Sequence, residues 1–322
     1  MSTDTWDPVG VDFTRLASEK NISSLERSET FIKKFYNVII GSLVALALAS
    51  LYLLFAVSFE FFIVLAFASG ILFVFFFSFL SRLKKRLIKV KLAQKNGWRF
   101  NPYKASILYQ EFSRQFPKIF SLGTSDRSLE DVFWGSFTKD GKTYDFISGD
   151  FNYARVTSSG KKKSKQFFKD HFFILRLSTS ISHPFSLSPK TLGSRFANLF
   201  SKKDILTESI DFNKRFTFSY EGNGGQTQSS IVSVLNPKML EDLLSFHETK
   251  AKKARSLGGT RIFFQKDCVV FTAPGPFFKA NRVFTLQHLE IFPLDAKRFQ
   301  KELDFFFLLA RELSQNLSDS SF

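Results

Sequence analysis

Cysteine is almost absent from this chain, which holds a single one, Cys268, among 322 residues. One thiol cannot form an intrachain disulfide, so the sequence lacks the framework that stabilises small proteins of oxidising compartments. Cys268 begins the apolar run 268–271, where we expect it to be buried as a small hydrophobic side chain. Zinc-type Cys/His spacing is also missing, because four scattered histidines accompany this one cysteine.

Charge is missing from one long segment. Between Val38 and Leu80 the only charged residue is Glu60. Because a helix needs about 20 apolar residues to cross a bilayer, the segment predicts two spans, 38–59 and 61–80. A carboxylate at the bilayer centre costs roughly 2.5–3.5 kcal/mol on insertion scales, so Glu60 is predicted to lie in the turn of the hairpin. The alternative is a helical pair buried inside a soluble core.

Acidic residues are missing directly after the second span. Residues 81–95 hold seven cations and no carboxylate, and Lys33 and Lys34 precede the first span. Since positive flanks stay in the cytoplasm, both termini are predicted to be cytoplasmic. We predict membrane-surface contacts for Arg82, Lys84, Lys85, Arg86, Lys89 and Lys91. Apolar residues alternate with these cations, so the segment is either a helix lying on anionic headgroups or a simple stop-transfer flank.

Four parts make up the predicted organisation. A cytoplasmic tail (1–37) precedes the transmembrane hairpin (38–80), a basic juxtamembrane helix (81–95) and a cytoplasmic domain (96–322). In the domain, strand-like runs alternate with helix-like ones. The predicted fold class is therefore α+β, with a mainly antiparallel sheet and packed helices.

Period-2 and period-3.6 patterns locate the elements of this domain. The predicted strand pairs are 132–137 with 143–146, 151–157 with 166–177, and 261–265 with 268–272. The predicted helices are 13–35, 102–116, a short one after the prolines of 184–200, 237–250 and 294–317. The polar, basic connection 158–164 is predicted to be a mobile loop.

A positive balance distinguishes the domain, since residues 96–322 carry 33 Lys and Arg against 22 Asp and Glu, a net of +11. Docking on anionic lipid and simple solubility explain this charge equally well. Nucleic acid is a weaker explanation, because the sequence contains no nucleic-acid-binding fold signature or aromatic–basic platform.

Patterns that carry chemistry are few. The histidines, 171, 183, 247 and 288, lack the i, i+4 spacing of a metal-binding helix, and Gly-x-Ser-x-Gly does not occur. We therefore predict no catalytic, cofactor-binding or metal site, and a membrane-tethered binding or scaffold module with an unknown protein partner. A hydrolase whose site is assembled by the fold is the alternative. A channel or transporter comes third, since two spans with one acid offer no pathway without oligomerisation.

Three segments carry a family resemblance: 135–153, 208–216 and 235–244. Together they resemble a family of bacterial membrane-anchored proteins of unknown function, with paired N-terminal spans and a Glu-Ser-x-x-Phe-Asn-x-x-Phe segment in a cytoplasmic domain. The resemblance implies the bacterial inner membrane and supplies no catalytic residues. In this segment we expect Phe212 and Phe216 in the core, and Glu208 and Asn213 fixing a turn.

Overall fold

The computed structural model of the chain describes two N-terminal helices, a sheet and several short helices. The described residues are 19–56, 59–102, 104, 106–139, 141–159, 162–177, 180–181, 183–190, 207–220, 231–232, 235, 237–251, 261–265, 267–275, 297, 301, 303–304 and 307–308. The chain divides into two compact units, one containing the long helices and the other the sheet. The predicted α+β class is confirmed.

Two long helices form the first unit: α1, Glu19–Ala56, and α2, Phe59–Lys95. They run antiparallel, because the earlier residue of α1, Glu29, contacts the later residue of α2, Lys91 (Oε1 to Nζ, 3.5 Å). Tyr36, farther along α1, contacts Phe76, which comes before Lys91 in α2 (6.3 Å between ring centroids). The predicted spans thus fall in the C-terminal half of α1 and the N-terminal half of α2. The predicted helix 13–35 is continuous with the first span, and the basic segment 81–95 with the second.

The contact between α1 and α2 follows a repeat of three to four residues. Its fully buried members in α1 are Ile32, Tyr36, Leu43 and Ser50. This spacing places one stripe of α1 against its neighbour, as in a coiled coil. Ser50 and Ser69 are buried with their hydroxyls donating to Ala47 O (2.6 Å) and Ala66 O (2.9 Å), so small residues let the helices approach without an unsatisfied hydroxyl.

Eight strands form the second unit. They are β1 (Arg99–Asn101), β2 (Ser125–Lys139), β3 (Lys142–Ser159), β4 (Lys162–Arg176), β5 (Phe185–Pro189), β6 (Phe216–Tyr220), β7 (Arg261–Gln265) and β8 (Cys268–Pro274). Their order in the sheet is β1-β2-β3-β4-β8-β7-β5-β6, with every pair antiparallel. The meander β1–β4 therefore joins a second half through β4 and β8.

Four short helices with defined bounds accompany the sheet in the described part of the chain: α3 (Ser106–Gln115), α4 (Pro117–Phe120), α5 (Ile210–Arg215) and α6 (Pro237–Ala251). α3 and α4 cover one face of the meander with aromatic rings. Phe112 and Phe120 lie 5.7 and 5.3 Å from Phe172, and Phe120 lies 5.2 Å from Phe151, between ring centroids. Rings at these separations bury large apolar areas and gain edge-to-face contacts.

Trp98 covers the opposite face, which carries Phe146 on β3. The indole Nε1 donates to Ser136 O (2.7 Å) and the ring meets Phe146 edge-on at 5.0 Å. Gly135 makes this contact possible, since a Cβ there would lie 2.5 Å from Trp98 Cδ1. Phe307 stacks on Phe137 at 3.7 Å, so helical residues near the C-terminus also pack on this face.

Two β-bulges interrupt β2. Asp126 and Asp131 both have φ of +54°, and the register with β3 shifts at both places. Aspartate tolerates this left-handed conformation better than most residues. Each bulge adds one residue to β2, and the second leaves Glu130 opposite Asp150 on β3.

Most predicted strand pairs are confirmed, but two predictions need correction. β3 and β4 extend through the predicted loop 158–164 to Ser159 and from Lys162. Both faces of this part of the hairpin are exposed, so its residues are polar throughout, and this pattern is also typical of a loop. The strand β5 was missed, and the short helix expected after it lies outside the described residues. Of the predicted helix 294–317, the described positions are helical.

Candidate functional site

The C-terminal half of α1 and the N-terminal half of α2 expose many large apolar side chains. Val64, Phe67, Val74 and Phe75 expose 68%, 71%, 67% and 65% of their surface. Only 11% of the most apolar 18-residue window of either helix is buried, whereas the core helix of a soluble protein is mostly buried. Both helices are long and apolar enough to cross a membrane, and an exposed belt of this kind suits lipid rather than water.

Glu60 is an exposed residue in the first turn of α2, directly after residues 57–58 that separate the helices. A carboxylate is favoured at a helix N-terminus by the helix dipole. The sequence placed Glu60 in the turn of the hairpin. Its position at the start of α2 suits that role, and its location at a membrane interface stays a prediction.

The six cations predicted to touch the membrane surface do not share one environment. Arg82 and Lys91 are exposed, and Lys85 and Arg86 are half-buried. Lys84 and Lys89 expose only 1% and 0% of their surface. The Leu, Ile and Val residues of this part of α2 are buried as well, and they lie on several sides of the helix instead of forming one stripe. A headgroup contact stays a prediction for the six cations.

A charged cluster lies between strands β2, β3 and β4. Lys169 Nζ is 2.8 Å from Glu130 Oε2 and 3.7 Å from Asp150 Oδ2, and Asn152 Nδ2 donates to the same Glu130 oxygen at 3.2 Å. Asp150 is fully buried, whereas Lys169 keeps 30% of its side chain exposed. A buried carboxylate is tolerated only beside opposite charge or hydrogen-bond donors, so Lys169 is a main stabilising group of this cluster.

His171 joins the cluster from β4. Its Nε2 lies 3.3 Å from Ser148 Oγ and its Nδ1 lies 3.7 Å from Asp150 Oδ1. This order of serine, histidine and aspartate is that of a hydrolase triad. However, Ser148 and Asp150 expose 0% and His171 3% of their surface, so a substrate does not reach the hydroxyl in this conformation. The arrangement therefore acts first as a polar connection between β3 and β4.

A second polar group lies on the opposite face of the same strands. Tyr153 OH donates to Asp170 Oδ2 at 2.8 Å, and both residues are buried. Arg261 on β7 lies near them: burial lowers the pKa of its guanidinium, and Asp170 and Tyr153 oppose that shift. This group joins β3, β4 and β7, and sequence patterns missed it because its members are distant in the chain.

The remaining histidines do not add to the cluster. His183 is half-buried before β5, His247 lies in α6, and His288 is outside the described residues. Among the described residues, no three His, Cys, Asp or Glu side chains form a group that could hold a metal ion.

The segment 208–216 has a structural role. Phe212 N donates to Ser209 Oγ at the start of α5 (3.3 Å). The Asn213 amide accepts from Thr207 N (3.0 Å) and donates to Thr207 O (2.7 Å). Phe212 and Phe216 are buried and stack at 4.7 Å. The core and turn roles predicted for Phe212, Phe216 and Asn213 are confirmed, whereas Glu208 is exposed.

Comparisons with known proteins give one distant structural similarity. No protein-family model matches the chain, and no curated protein matches it. Among solved structures, the crystal structure of the mycobacterial trehalose monomycolate transport factor A, TtfA, is similar, with a TM-score of 0.35 and 9% sequence identity. The similarity covers 71% of this chain and 92% of that chain. Similarity at this level leaves the function to be argued from the residues of the chain itself.

Proposed function

We propose that this protein is a membrane-tethered binding or scaffold module of the bacterial inner membrane. The exposed apolar belt of α1 and α2 carries the proposal, because such a surface is stable only when lipid covers it. α2 continues to Lys95, and the sheet begins at Arg99. The sheet unit is therefore held beside the bilayer by a connection of three residues.

The positive flanks favour a cytoplasmic position for both termini and the sheet unit. Reporters fused at the C-terminus test this orientation: a cytoplasmic fluorescent protein should be bright, and an alkaline phosphatase, which needs an oxidising compartment, should be inactive. Active phosphatase would place the sheet on the other side and contradict the proposal.

Binding is the activity that the sheet unit supports best. Its buried polar residues connect strands, and its surface is basic, with a net of +11 over 96–322. Protein and anionic-lipid contacts both fit such a surface when it is held at a membrane, since tethering raises the local concentration of either partner.

Cross-linking in cells tests the binding role. The tagged full chain is cross-linked, extracted in detergent and compared with a control in which residues 1–96 carry an unrelated soluble domain. We expect a protein or an anionic lipid to be enriched with the full chain only. Equal recovery from the control would show that the tether alone explains the contacts and would remove the scaffold role.

A hydrolase is the second candidate, because Ser148, His171 and Asp150 stand in triad order. It requires that the buried Ser148 become accessible. A fluorophosphonate probe tests this: labelling of the full chain that Ser148→Ala abolishes would favour the hydrolase. Unlabelled wild-type protein, checked against a known serine hydrolase, would dismiss Ser148 as a nucleophile.

A further inference from the structure

The strands β3 and β4 continue beyond the rest of the sheet as a two-stranded arm. β2 begins at Ser125, which pairs with Ala154, and β8 ends at Pro274, which pairs with Asp170. Beyond these positions, within the part of the chain that the structure describes, Arg155–Ser159 and Lys162–Gln166 pair only with each other. At about 3.3 Å per residue, this arm is roughly 17 Å long. We use "the arm" for residues 155–159 and 162–167.

One sign of charge dominates the arm. The arm contains Arg155, Lys162, Lys163 and Lys165 and no acidic residue. The side chains of Arg155, Lys163 and Lys165 are exposed. Lys165 Nζ lies 2.6 Å from Asp126 Oδ2 on β2, and this contact lowers the pKa of Asp126. The arm thus presents a cationic surface with a single carboxylate beside it among the described contacts.

Apolar side chains accompany the cations on one face of the arm. Side chains of directly paired residues, and of alternate residues along a strand, point to the same face. Phe167 pairs with Ala154 and Lys165 pairs with Val156, so Phe167, Lys165 and Val156 share a face. Phe167 exposes 69% and Val156 37% of its surface, and Lys165 Nζ lies 5.2 Å from the Phe167 ring centroid.

We propose that the arm docks on the headgroup region of an anionic bilayer, with Phe167 and Val156 entering the boundary with the acyl chains and the lysines contacting lipid phosphates. This inference rests on the proposed membrane tether, and it names the partner of the sheet unit. An exposed aromatic ring between lysines matches the interface, where apolar groups are buried and cations stay with headgroups.

Nucleic acid fits the arm less well than lipid. Single-stranded nucleic acid is bound on several aromatic rings that stack with successive bases, whereas the arm exposes one, Phe167, among its described residues. The helices α1 and α2 also tether the sheet unit to a bilayer under the proposed function, which raises the effective concentration of lipid for the arm.

A fluorophore on the arm tests the proposal in the full chain. Cys268 is buried, so a thiol-reactive NBD dye labels an added cysteine selectively, either Ser158→Cys on the arm or Gln110→Cys on α3 as the control. Each protein is placed in nanodiscs of phosphatidylcholine alone or with 30% phosphatidylglycerol. For the label on the arm, we expect the NBD emission to shift to shorter wavelength and its quenching by iodide to decrease, in anionic nanodiscs only. For the control label we expect no change.

Variants of exposed side chains separate charge from apolar insertion. Lys163→Gln with Lys165→Gln should weaken docking about 25-fold, at about five-fold per cation. Phe167→Ala should weaken it several-fold at any salt concentration. Asp126→Asn should strengthen docking by releasing Lys165, and asparagine keeps the left-handed backbone at this position.

Three results would overturn the proposal. They are an arm label that stays exposed in anionic nanodiscs, an equal shift in neutral nanodiscs, and a shift produced by RNA or an acidic peptide but not by lipid. Loss of the whole protein from the nanodiscs is a different result, because it would contradict the tether instead of the arm. Fluorescence of the buried Trp98 and Trp134 verifies that each variant is folded.

Discussion

In the helical hairpin Phe67 and Phe75 expose 71% and 65% of their surface, whereas in the sheet unit Phe112 and Phe172 expose none. The same residue type, abundant in a chain with 44 phenylalanines, faces outward at these positions of the helices and inward in the core of the sheet unit. Polar groups show the reverse, since Asp150 and His171 are buried between strands. The comparison indicates two solvents: lipid around the helices and water around the sheet.

The largest effect is expected where charge enters the exposed belt. Leu72→Arg with Val74→Arg changes two exposed residues, which water would accept without loss. In a bilayer two central arginines cost roughly 5–7 kcal/mol on insertion scales, so the carbonate-resistant membrane fraction of the protein should fall sharply. Leu72→Ala with Val74→Ala is the control and should stay in the membrane. An arginine pair that leaves the fraction unchanged would show that lipid does not cover the belt.

The second-largest effect is expected when the cation of the charged cluster around Asp150 is removed. Lys169→Met removes the ammonium group that lies 2.8 Å from Glu130 Oε2 and 3.7 Å from Asp150 Oδ2, and we expect a loss of roughly 2–3 kcal/mol in the free energy of unfolding. This is less than for a fully buried pair because Lys169 is partly exposed. Lys165→Met, four residues earlier on β4, removes an exposed pair and should cost below about 1 kcal/mol.

Urea titrations of the detergent-solubilised chain, followed by tryptophan fluorescence, measure both lysine variants. Similar midpoints for Lys169→Met and Lys165→Met would mean that the cluster around Asp150 does not depend on its cation.

Two glycines, one in each unit, differ in the space around them. Gly135→Ala forces a Cβ against the Trp98 ring and should destabilise the sheet unit by about 1–3 kcal/mol. Gly41→Ala in α1 meets no atom within 4 Å and should cause no loss. The urea midpoint again gives the result, and Trp98→Leu should reduce the cost of Gly135→Ala because it removes the ring. An unchanged midpoint for Gly135→Ala would contradict the close approach of the indole.

The smallest effect concerns Cys268. Burial, with Asp267 adding to it, raises the pKa of this thiol to about 12, so the native thiolate is scarce at pH 8. Reaction with Ellman's reagent should be roughly three orders of magnitude slower in the native protein than in urea. Because the unfolded thiol loses its proton above about pH 8.5 while the native one keeps it, this group lowers stability as pH rises above that value. Fast native labelling at pH 8 would contradict the burial of Cys268.

Much of the architecture is predictable from local pattern. Residues 38–80, with a single acid near the middle, indicate paired apolar helices, because an apolar segment of that length is not stable when exposed to water. The hairpin around Gly141 and the strand pair 261–265 with 268–274 follow from alternation and turn residues. The roles of Phe212 and Asn213 also follow from short-range chemistry.

Other features depend on residues that meet only in the folded chain. The pairing of β4 with β8 joins positions about a hundred residues apart, and it decides the strand order. Lys84 and Lys89 expose only 1% and 0% of their surface, and the sequence did not indicate this, because a cation in sequence does not reveal what packs around it. The strands of the arm resembled a loop, since exposure on both faces allows polar residues throughout.

The amino-acid sequence alone predicts that part of this protein leaves water. The transfer free energy of an apolar segment depends on the number of its apolar side chains and on their continuity along the chain, and not on the rest of the fold. Tertiary structure alone decided that Asp150, Lys169 and His171 meet between two strands, and that Phe167 lies among lysines on an exposed face. Such contacts arise from register and β-bulges, which bring side chains together according to the backbone path rather than their distance in sequence.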